Sequence, residues 1–233
     1  MTKVLSIKKT VNPSNKNMMG VNTSYSRPRK YASLSERRVK YKNAQGLAAE
    51  ILYEENGVYH CVVNGTFIFG DFIEAYIVEN NFHVKELTIS TLGYNQNNVD
   101  SLKNLVHGNF VDKLTIIASA EFYGWERFPD KLVPYTYNTI GTDKCELQVA
   151  FADTHMKIIN IETHCGKHVV MHGSANLRSS GNIEQFTIEF NKSLYDFYQE
   201  IMIDIAEKCK TIQKPLRKSK LWDVVNPIDS KVN

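Results

Sequence analysis

Residues 153–189 read DTHMKIINIETHCGKHVVMHGSANLRSSGNIEQFTIE, and this segment decides both the predicted fold and the predicted chemistry. It holds two apolar runs separated by polar residues that include Gly166. Short apolar runs bounded by turn residues are typical of strands. The segment therefore predicts an antiparallel hairpin of residues 155–162 and 167–174, with its turn ending near Gly166.

Polar residues of the kinds that bind phosphate are concentrated on this hairpin. His155 and Lys157 project to the same side, because successive residues of a strand alternate between its two faces. If cross-strand partners sum to about 329, Lys157 lies opposite His172, and His155 lies opposite Ser174. Asn176 follows one step further on. We expect one face to present an imidazole, an ammonium, a hydroxyl and a carboxamide to a single phosphoryl group.

The order of these residues resembles the H-x-K-x4-D…G-S-x-N…E signature of the phospholipase D superfamily. In this chain the signature reads His155-Met156-Lys157, Glu162 at the acid position, Gly173-Ser174-Ala175-Asn176 and then Glu184. It departs from the family pattern at Glu162, which is not Asp, and in a longer connection to Gly173. Seven residues separate Glu162 from His155, so on a regular strand Glu162 faces away from the site.

The resemblance implies a two-step phosphodiester mechanism without metal or other cofactor. His155 would attack phosphorus to give a phosphohistidine, while Lys157, Ser174 and Asn176 would hold the non-bridging oxygens. Glu184 would fix the orientation of the imidazole. The mechanism needs two motif histidines and the chain carries one complete motif, so the resemblance also implies a homodimer in which two His155 residues meet.

The whole-chain charge of +3 conceals a strong asymmetry. Residues 1–43 contain eleven Lys or Arg and one acid, Glu36, a net charge of +10, whereas the remainder has 17 basic and 24 acidic residues, a net charge of −7. A basic arm on an acidic body indicates an anionic polymer as partner, most simply nucleic acid, and DNA is the expected substrate. A solubilising tail is the alternative. The candidate nucleic-acid contacts are Arg27, Arg29, Lys30, Arg37 and Arg38.

Composition and length predict one domain with appendages. We expect a flexible arm over residues 1–32, a phospholipase D-like domain over 33–222 and a tail over 223–233. No apolar run is long enough to span a membrane and the first residues lack the apolar core of a signal peptide, so a soluble, cytoplasmic protein with no membrane partner is expected. The four cysteines lack paired spacing, which favours reduced thiols.

The order of the elements predicts a mixed α/β fold with a mostly parallel central sheet flanked by helices. A strand, a helix and a strand over residues 85–118 favour a parallel crossover. An Asn-Gly pair at 64–65 favours a hairpin, and the aromatic interval 122–137 is interpreted as core and loop packing. The predicted helices are 34–54, 71–78, 97–106 and one capped by Asn191 or Ser193; the predicted strands are 58–63, 66–69, 85–91, 113–118, 145–152 and 184–190.

A second H-x-K at His83-Val84-Lys85 is interpreted as coincidence, because residue 90 is Ser rather than an acid and no G-S-x-N follows. A metal site built from His164, Cys165, His168 and His172 is not expected. On a strand, His168 and His172 stand about 13 Å apart, too far for one ion with bonds of about 2.1 Å.

Two other functions remain open at this point. The same chemistry could hydrolyse phospholipids, since the motif does not choose between lipid and nucleic acid. The domain could also bind DNA or RNA without cleaving it, as a structural component of a nucleoprotein particle.

Overall fold

The computed structural model describes residues 25–26, 39–40, 44–63, 67–120, 129–178 and 182–209. The candidate contacts Arg27, Arg29, Lys30, Arg37 and Arg38 lie outside the described residues, as do the tail 223–233 and most of the arm.

A seven-stranded sheet forms the centre of the molecule, and its strands follow the order β3-β9-β8-β7-β4-β5-β6. A separate two-stranded sheet pairs β1 with β2 in antiparallel fashion. The strands are β1 Tyr25–Ser26, β2 Val39–Lys40, β3 Val58–Val63, β4 Val84–Thr91, β5 Val111–Ser119, β6 Glu146–Ala152, β7 Ile158–Thr163, β8 His168–Gly173 and β9 Glu184–Glu189.

The prediction of a mostly parallel sheet is wrong, although the mixed α/β class is confirmed. Only β4, β5 and β6 run parallel to one another, as the predicted crossover requires, while the other four pairings are antiparallel. A tight turn can join only antiparallel neighbours, and β7 and β8 are joined by such a turn. Parallel neighbours need long crossovers, and the parallel pairs of the described strands are joined by the connections that contain α3 and α4.

Five helices are described on the two faces of the sheet: α1 Ala44–Glu50, α2 Phe69–Glu79, α3 Gln96–His107, α4 Pro129–Ile140 and α5 Lys192–Lys208. Each face of the sheet has its own hydrophobic core, one shared with α1 to α4 and the other with α5. The neighbouring residues Ile116 and Ile117 of β5 belong to the first and the second core, respectively. Within the described part of the chain, no helix is both long and apolar enough to cross a membrane.

Two asparagines cap the N-termini of α3 and α5. Asn95 caps α3 by accepting a hydrogen bond from the Asn98 amide, and the Asn98 side chain accepts one from the Asn95 amide in return. Asn191 accepts from the Leu194 amide at the start of α5, which settles the predicted choice between Asn191 and Ser193. Such caps typically stabilise a helix by about 1 kcal/mol.

The first predicted helix is much shorter than its apolar stripe suggested. Val39–Lys40 form strand β2 rather than helix, and α1 ends at Glu50 instead of residue 54. Beyond that end, the Tyr53 ring packs against Phe190 with centroids 4.9 Å apart. Tertiary packing therefore replaces the last predicted turn of the helix.

The sequence misplaced two further elements. Strand β3 pairs with β9, and the predicted turn at 64–65 lies outside the described residues. In place of the predicted strand 66–69, Phe69 begins α2 and packs beside Phe186 with ring centroids 4.7 Å apart. Most of α4 lies in the aromatic interval interpreted as core and loop packing. Pro134 sits inside this helix and weakens the helical signal in the sequence.

All four cysteines are free thiols, as predicted. Cys61, Cys145 and Cys209 are buried, and burial raises the pKa of Cys61 and that of Cys145, the latter to about 11. Cys165 is exposed in the turn between β7 and β8.

Candidate active site

The topology of the sheet brings the three parts of the motif to one edge. Strands β4 and β7 are antiparallel, so β7 begins where β4 ends. Strand β8 is antiparallel to both β7 and β9, so β8 ends and β9 begins at that same edge. His155-Met156-Lys157 directly precedes β7, Gly173-Ser174-Ala175-Asn176 begins at the last residue of β8, and Glu184 is the first residue of β9.

Hydrogen bonds from the neighbouring backbone hold the H-x-K segment in place. The Ser90 hydroxyl, near the end of β4, donates to the Met156 carbonyl at 3.2 Å. The Gly173 amide donates to the Lys157 carbonyl at 3.3 Å. The segment is therefore fixed between β4 and the G-S-x-N segment, although it is not part of a strand.

His155 is exposed, and Lys157 is half-buried. The Lys157 ammonium donates to the His155 carbonyl oxygen at 3.1 Å, which keeps the cation beside its own tripeptide. An exposed imidazole next to an ammonium is accessible to a negatively charged substrate.

Asn176 is oriented by a single backbone contact. The Leu92 amide donates to the Asn176 Oδ1 at 3.2 Å, which fixes the amide oxygen on the protein side. The Asn176 Nδ2 has no hydrogen-bond partner among the described residues, so it is available to donate to a phosphoryl oxygen. Buried Ala175 and Leu177 on either side anchor the segment in the core.

Ser174 is fixed by strand β9. Its hydroxyl donates to the Glu184 carboxylate and accepts from the Gln185 amide at 3.1 Å. The carboxylate and the hydroxyl predicted to act in the site are therefore hydrogen-bonded to each other.

The predicted register of the hairpin is wrong by one residue. His172 pairs with Ile158 and not with Lys157, and His155 lies before the ladder instead of opposite Ser174. A slip of one residue moves every side chain to the other face of the sheet. His172 consequently shares the face of Ile158, which packs under α5, and its Nε2 is 2.8 Å from Glu189 Oε1.

The turn between β7 and β8 sets this register. The Thr163 amide donates to the Lys167 carbonyl at 3.0 Å, and Gly166 adopts a φ of +79°, a conformation that side chains disfavour. The turn lies where the sequence predicts it. The pairing depends on which residues close the turn, here Thr163 and Lys167, and local sequence patterns do not reveal this contact.

Glu162 lies away from the site, as expected. Its carboxylate is 3.0 Å from the Lys85 ammonium and accepts from the Tyr195 hydroxyl at 3.4 Å. Burial, together with the negative charges of Glu86 and Glu162, raises the pKa of Tyr195 and keeps its hydroxyl protonated as a donor. Glu162 therefore attaches the hairpin to β4 and α5.

The three histidines of the hairpin point to different surroundings. His164 lies 2.6 Å from Asp112, the His168 ring packs 4.9 Å from the Tyr195 ring, and His172 contacts Glu189. Over the residues that the structure describes, no group of three or more His, Cys, Asp or Glu side chains is arranged to hold a metal ion.

A cleft that the sequence did not reveal opens beside Asn176. Its volume is about 670 Å³, and its walls include Leu92, Asn95, Asn97 and Arg178. The signal for this cleft was the asparagine-rich segment 95–98, which follows the end of a buried strand. Ligands commonly bind beyond the carboxyl ends of parallel strands.

No protein-family model matches the sequence, and no curated protein shows significant sequence similarity to it. Solved structures do resemble the chain. The polyphosphate kinase of Porphyromonas gingivalis matches with 11% identity and a TM-score of 0.47, over 65% of this chain and 26% of that one, so the match spans about a quarter of the kinase.

Two smaller proteins match as well. NucT from Helicobacter pylori has 11% identity and a TM-score of 0.45 over 66% of this chain and 98% of its own. The phospholipase D family member Nuc from Salmonella typhimurium has 16% identity and a TM-score of 0.40 over 54% of this chain and 80% of its own. The structural neighbours thus include members of the superfamily that the motif resembles. None of these three TM-scores reaches 0.5, so function has to be inferred from the motif and the geometry of the site.

Proposed function

We propose that the protein is a metal-independent phosphodiesterase that cleaves nucleic acid, most simply DNA, with His155 as nucleophile. The observation that carries this proposal is the meeting of the H-x-K segment, the G-S-x-N segment and Glu184 at one edge of the sheet. These segments come from different strands and have the residue types that phosphoryl transfer needs.

The reaction proceeds in two steps. An imidazole nitrogen of His155 attacks phosphorus, and the bond from phosphorus to the leaving oxygen breaks, which leaves a phosphohistidine. A second imidazole gives its proton to the leaving oxygen. Water then attacks the phosphohistidine and transfers a proton to that second imidazole, which releases the product and restores both histidines.

Neighbouring groups stabilise the charge that develops on the non-bridging oxygens. Lys157 supplies a positive charge, and the Asn176 Nδ2 supplies a neutral donor that Leu92 has already oriented. The Ser174 hydroxyl becomes a third stabilising group when a phosphoryl oxygen replaces the Glu184 carboxylate as the acceptor of its hydrogen bond. Glu184 keeps the His155 imidazole in one tautomer, the role that carboxylates have beside catalytic histidines.

The second imidazole is His155 of another copy of the chain. The chain carries one complete motif, and a twofold axis brings equal residues of two copies together. The active form is therefore a homodimer, and a monomer lacks the general acid.

The basic segment 1–43 supports nucleic acid over lipid as substrate. Its net charge of +10 suits the phosphates of a polymer, whose binding by Lys and Arg is strongly salt-dependent. Deleting residues 1–32 should flatten the salt dependence of DNA binding. Activity on phospholipid vesicles that survives this deletion would favour the lipid reaction instead.

The decisive experiment compares the full chain with its His155→Ala variant on single- and double-stranded DNA, on RNA and on bis(p-nitrophenyl) phosphate, each with EDTA. We expect the wild type to cleave and the variant to bind DNA without cleaving it. A wild type that binds nucleic acid but cleaves none of these substrates, with or without EDTA, is the result expected of a non-catalytic nucleoprotein component.

A further inference from the structure

The cleft beside Asn176 continues the candidate active site. Asn176 belongs to both, since its Oδ1 is held by Leu92 and its side chain borders the cleft together with Asn95, Asn97 and Arg178. A group bound in this cleft therefore lies next to the phosphoryl group that Asn176 contacts under the proposed function.

Five of the seven side chains that line the cleft are polar, although polar and apolar atoms contribute about equally to its surface. Asn95, Asn97 and Arg178 are exposed, and the two apolar side chains are Ile68 and Leu92. Amide side chains and a guanidinium form hydrogen bonds with base edges and phosphate oxygens. An acyl chain, by contrast, needs a continuous apolar wall.

The floor of the cleft is held rigidly by the Leu177 carbonyl. This oxygen accepts from the Asn98 side chain at 3.1 Å and from the Gly70 amide at 3.0 Å, so it joins α2, α3 and the G-S-x-N segment. Asn98 is 1% exposed, and a Cβ on Gly70 would lie 2.6 Å from its Nδ2. The spacing between Arg178 and Asn97 is therefore built into the fold.

The size of the cleft agrees with one nucleotide. Its volume of about 670 Å³ falls inside the range of pockets that bind small organic ligands, roughly 300–1,000 Å³. A nucleotide carries one phosphate for the cation and one base for the amides, which matches the composition of the walls.

We propose that this cleft is a subsite for the nucleotide adjacent to the scissile phosphate, with Arg178 on the neighbouring phosphate and Asn97 on the base or sugar. The inference rests on the proposed function, and it names the substrate class as a nucleic acid strand and not a lipid. Arg178 acts here in binding and has no part in the chemical steps.

Arg178→Ala tests the subsite when two substrates are compared. Cleavage of a short oligonucleotide should show a KM at least about tenfold higher, because a charge-assisted contact to phosphate is lost. Cleavage of bis(p-nitrophenyl) phosphate, which has no second phosphate, should be unchanged. Lys144→Ala is the matched control, since Lys144 is an exposed cation that does not border the cleft.

A binding measurement separates failure of the subsite from failure of the nuclease. In the His155→Ala background, adding Arg178→Ala should lower the slope of log K against log salt for a single-stranded oligonucleotide by about 0.7. Arg178→Lys should restore the slope. If the wild type cleaves nothing but this slope still changes, the cleft binds a nucleic acid strand through Arg178 and the nuclease proposal falls.

Three results would overturn the subsite. They are an equal loss on both substrates, no change in KM or salt slope for the oligonucleotide, and a loss of activity on phospholipid vesicles that depends on Arg178. Thermal unfolding of each variant identifies a protein that has lost activity because it is misfolded. If Arg178→Ala is misfolded, Arg178→Lys is compared with the wild type in its place.

Discussion

Two tripeptides of the same pattern stand at opposite ends of the sheet. His83-Val84-Lys85 leads into β4, and His155-Met156-Lys157 leads into β7. Because β4 and β7 are antiparallel neighbours, the two tripeptides lie at opposite ends of the sheet. Val84 and Lys85 are the first residues of β4, whereas His155-Met156-Lys157 directly precedes β7. The pattern alone therefore has no functional meaning, and its place in the topology decides what it can do.

The surroundings of the two tripeptides differ accordingly. The His83 carbonyl accepts from the His164 amide at 2.9 Å, its ring stacks on Phe110, and Lys85 is bound to Glu162. The contacts of His83 and Lys85 with His164 and Glu162 join β4 to the motif hairpin. His155 is instead exposed, and its tripeptide is bound to the G-S-x-N segment through the Lys157 carbonyl, which accepts from the Gly173 amide.

The largest difference is expected between His155→Ala and His83→Ala. The first variant should lose at least about 10³-fold in cleavage rate, because the nucleophile is removed, and the second should stay close to the wild type. Initial rates on the same DNA substrate measure both. Comparable losses of cleavage rate in the two variants would show that both histidines matter for folding and not for chemistry. Thermal unfolding of each protein would then show the reduced stability.

Lys157→Ala and Lys85→Ala form the next pair. Loss of the Lys157 charge should lower the cleavage rate about 100-fold with little change in stability, because the ammonium stabilises charge in the transition state. Loss of Lys85 breaks an exposed ion pair with Glu162 and should lower the free energy of unfolding by no more than about 1 kcal/mol, with cleavage unchanged. A loss of cleavage in Lys85→Ala as large as that in Lys157→Ala would contradict the assignment of Lys157 to catalysis and of Lys85 to stability.

Gly166, in the turn before β8, and Gly173, the last residue of β8, extend the comparison to the backbone. A Cβ on Gly173 would clash with the Gln185 carbonyl and lie 2.7 Å from the Phe186 Cα, so Gly173→Ala should cost about 1–3 kcal/mol and reduce cleavage. A Cβ on Gly166 meets open space, and only its φ of +79° opposes alanine, at about 1 kcal/mol. Urea unfolding and cleavage assays of both variants provide the measurement. If Gly173→Ala cleaved as fast as the wild type, the G-S-x-N segment would not be part of the active site.

The smallest effect concerns Cys165, at the end of the sheet remote from the site. The Thr163 hydroxyl, more than any other group, lowers the pKa of this exposed thiol, so the reactive thiolate is present at lower pH than for an ordinary cysteine. Iodoacetamide should modify Cys165 alone in the native protein, since the other three thiols are buried. Mass spectrometry locates the adduct, and cleavage should be unchanged. A loss of cleavage after modification would show that this end of the sheet affects the site at the other end.

Local patterns in the sequence predicted most elements correctly. Strands β4, β5, β7, β8 and β9 and helices α2, α3 and α5 follow from apolar periodicity, because each buries a regular stripe or face. The order of the motif residues in the chain carries the resemblance, and their catalytic roles stay predictions. The prediction failed where packing partners decide, as for the shortened α1, the Pro134-containing α4 and the β9 partner of β3.

By itself, the sequence determined most of the strands, the helices α2, α3 and α5, the motif hairpin and the order of residue types that resembles a phosphodiesterase signature, because these depend on near neighbours in the chain. Only the tertiary structure decided the antiparallel majority of the sheet, the one-residue register that turns His172 toward α5, and the cleft between Asn97 and Arg178. The physical reason is that strand pairing and cleft walls depend on contacts between residues distant in the chain, where a shift of one residue reverses a whole face.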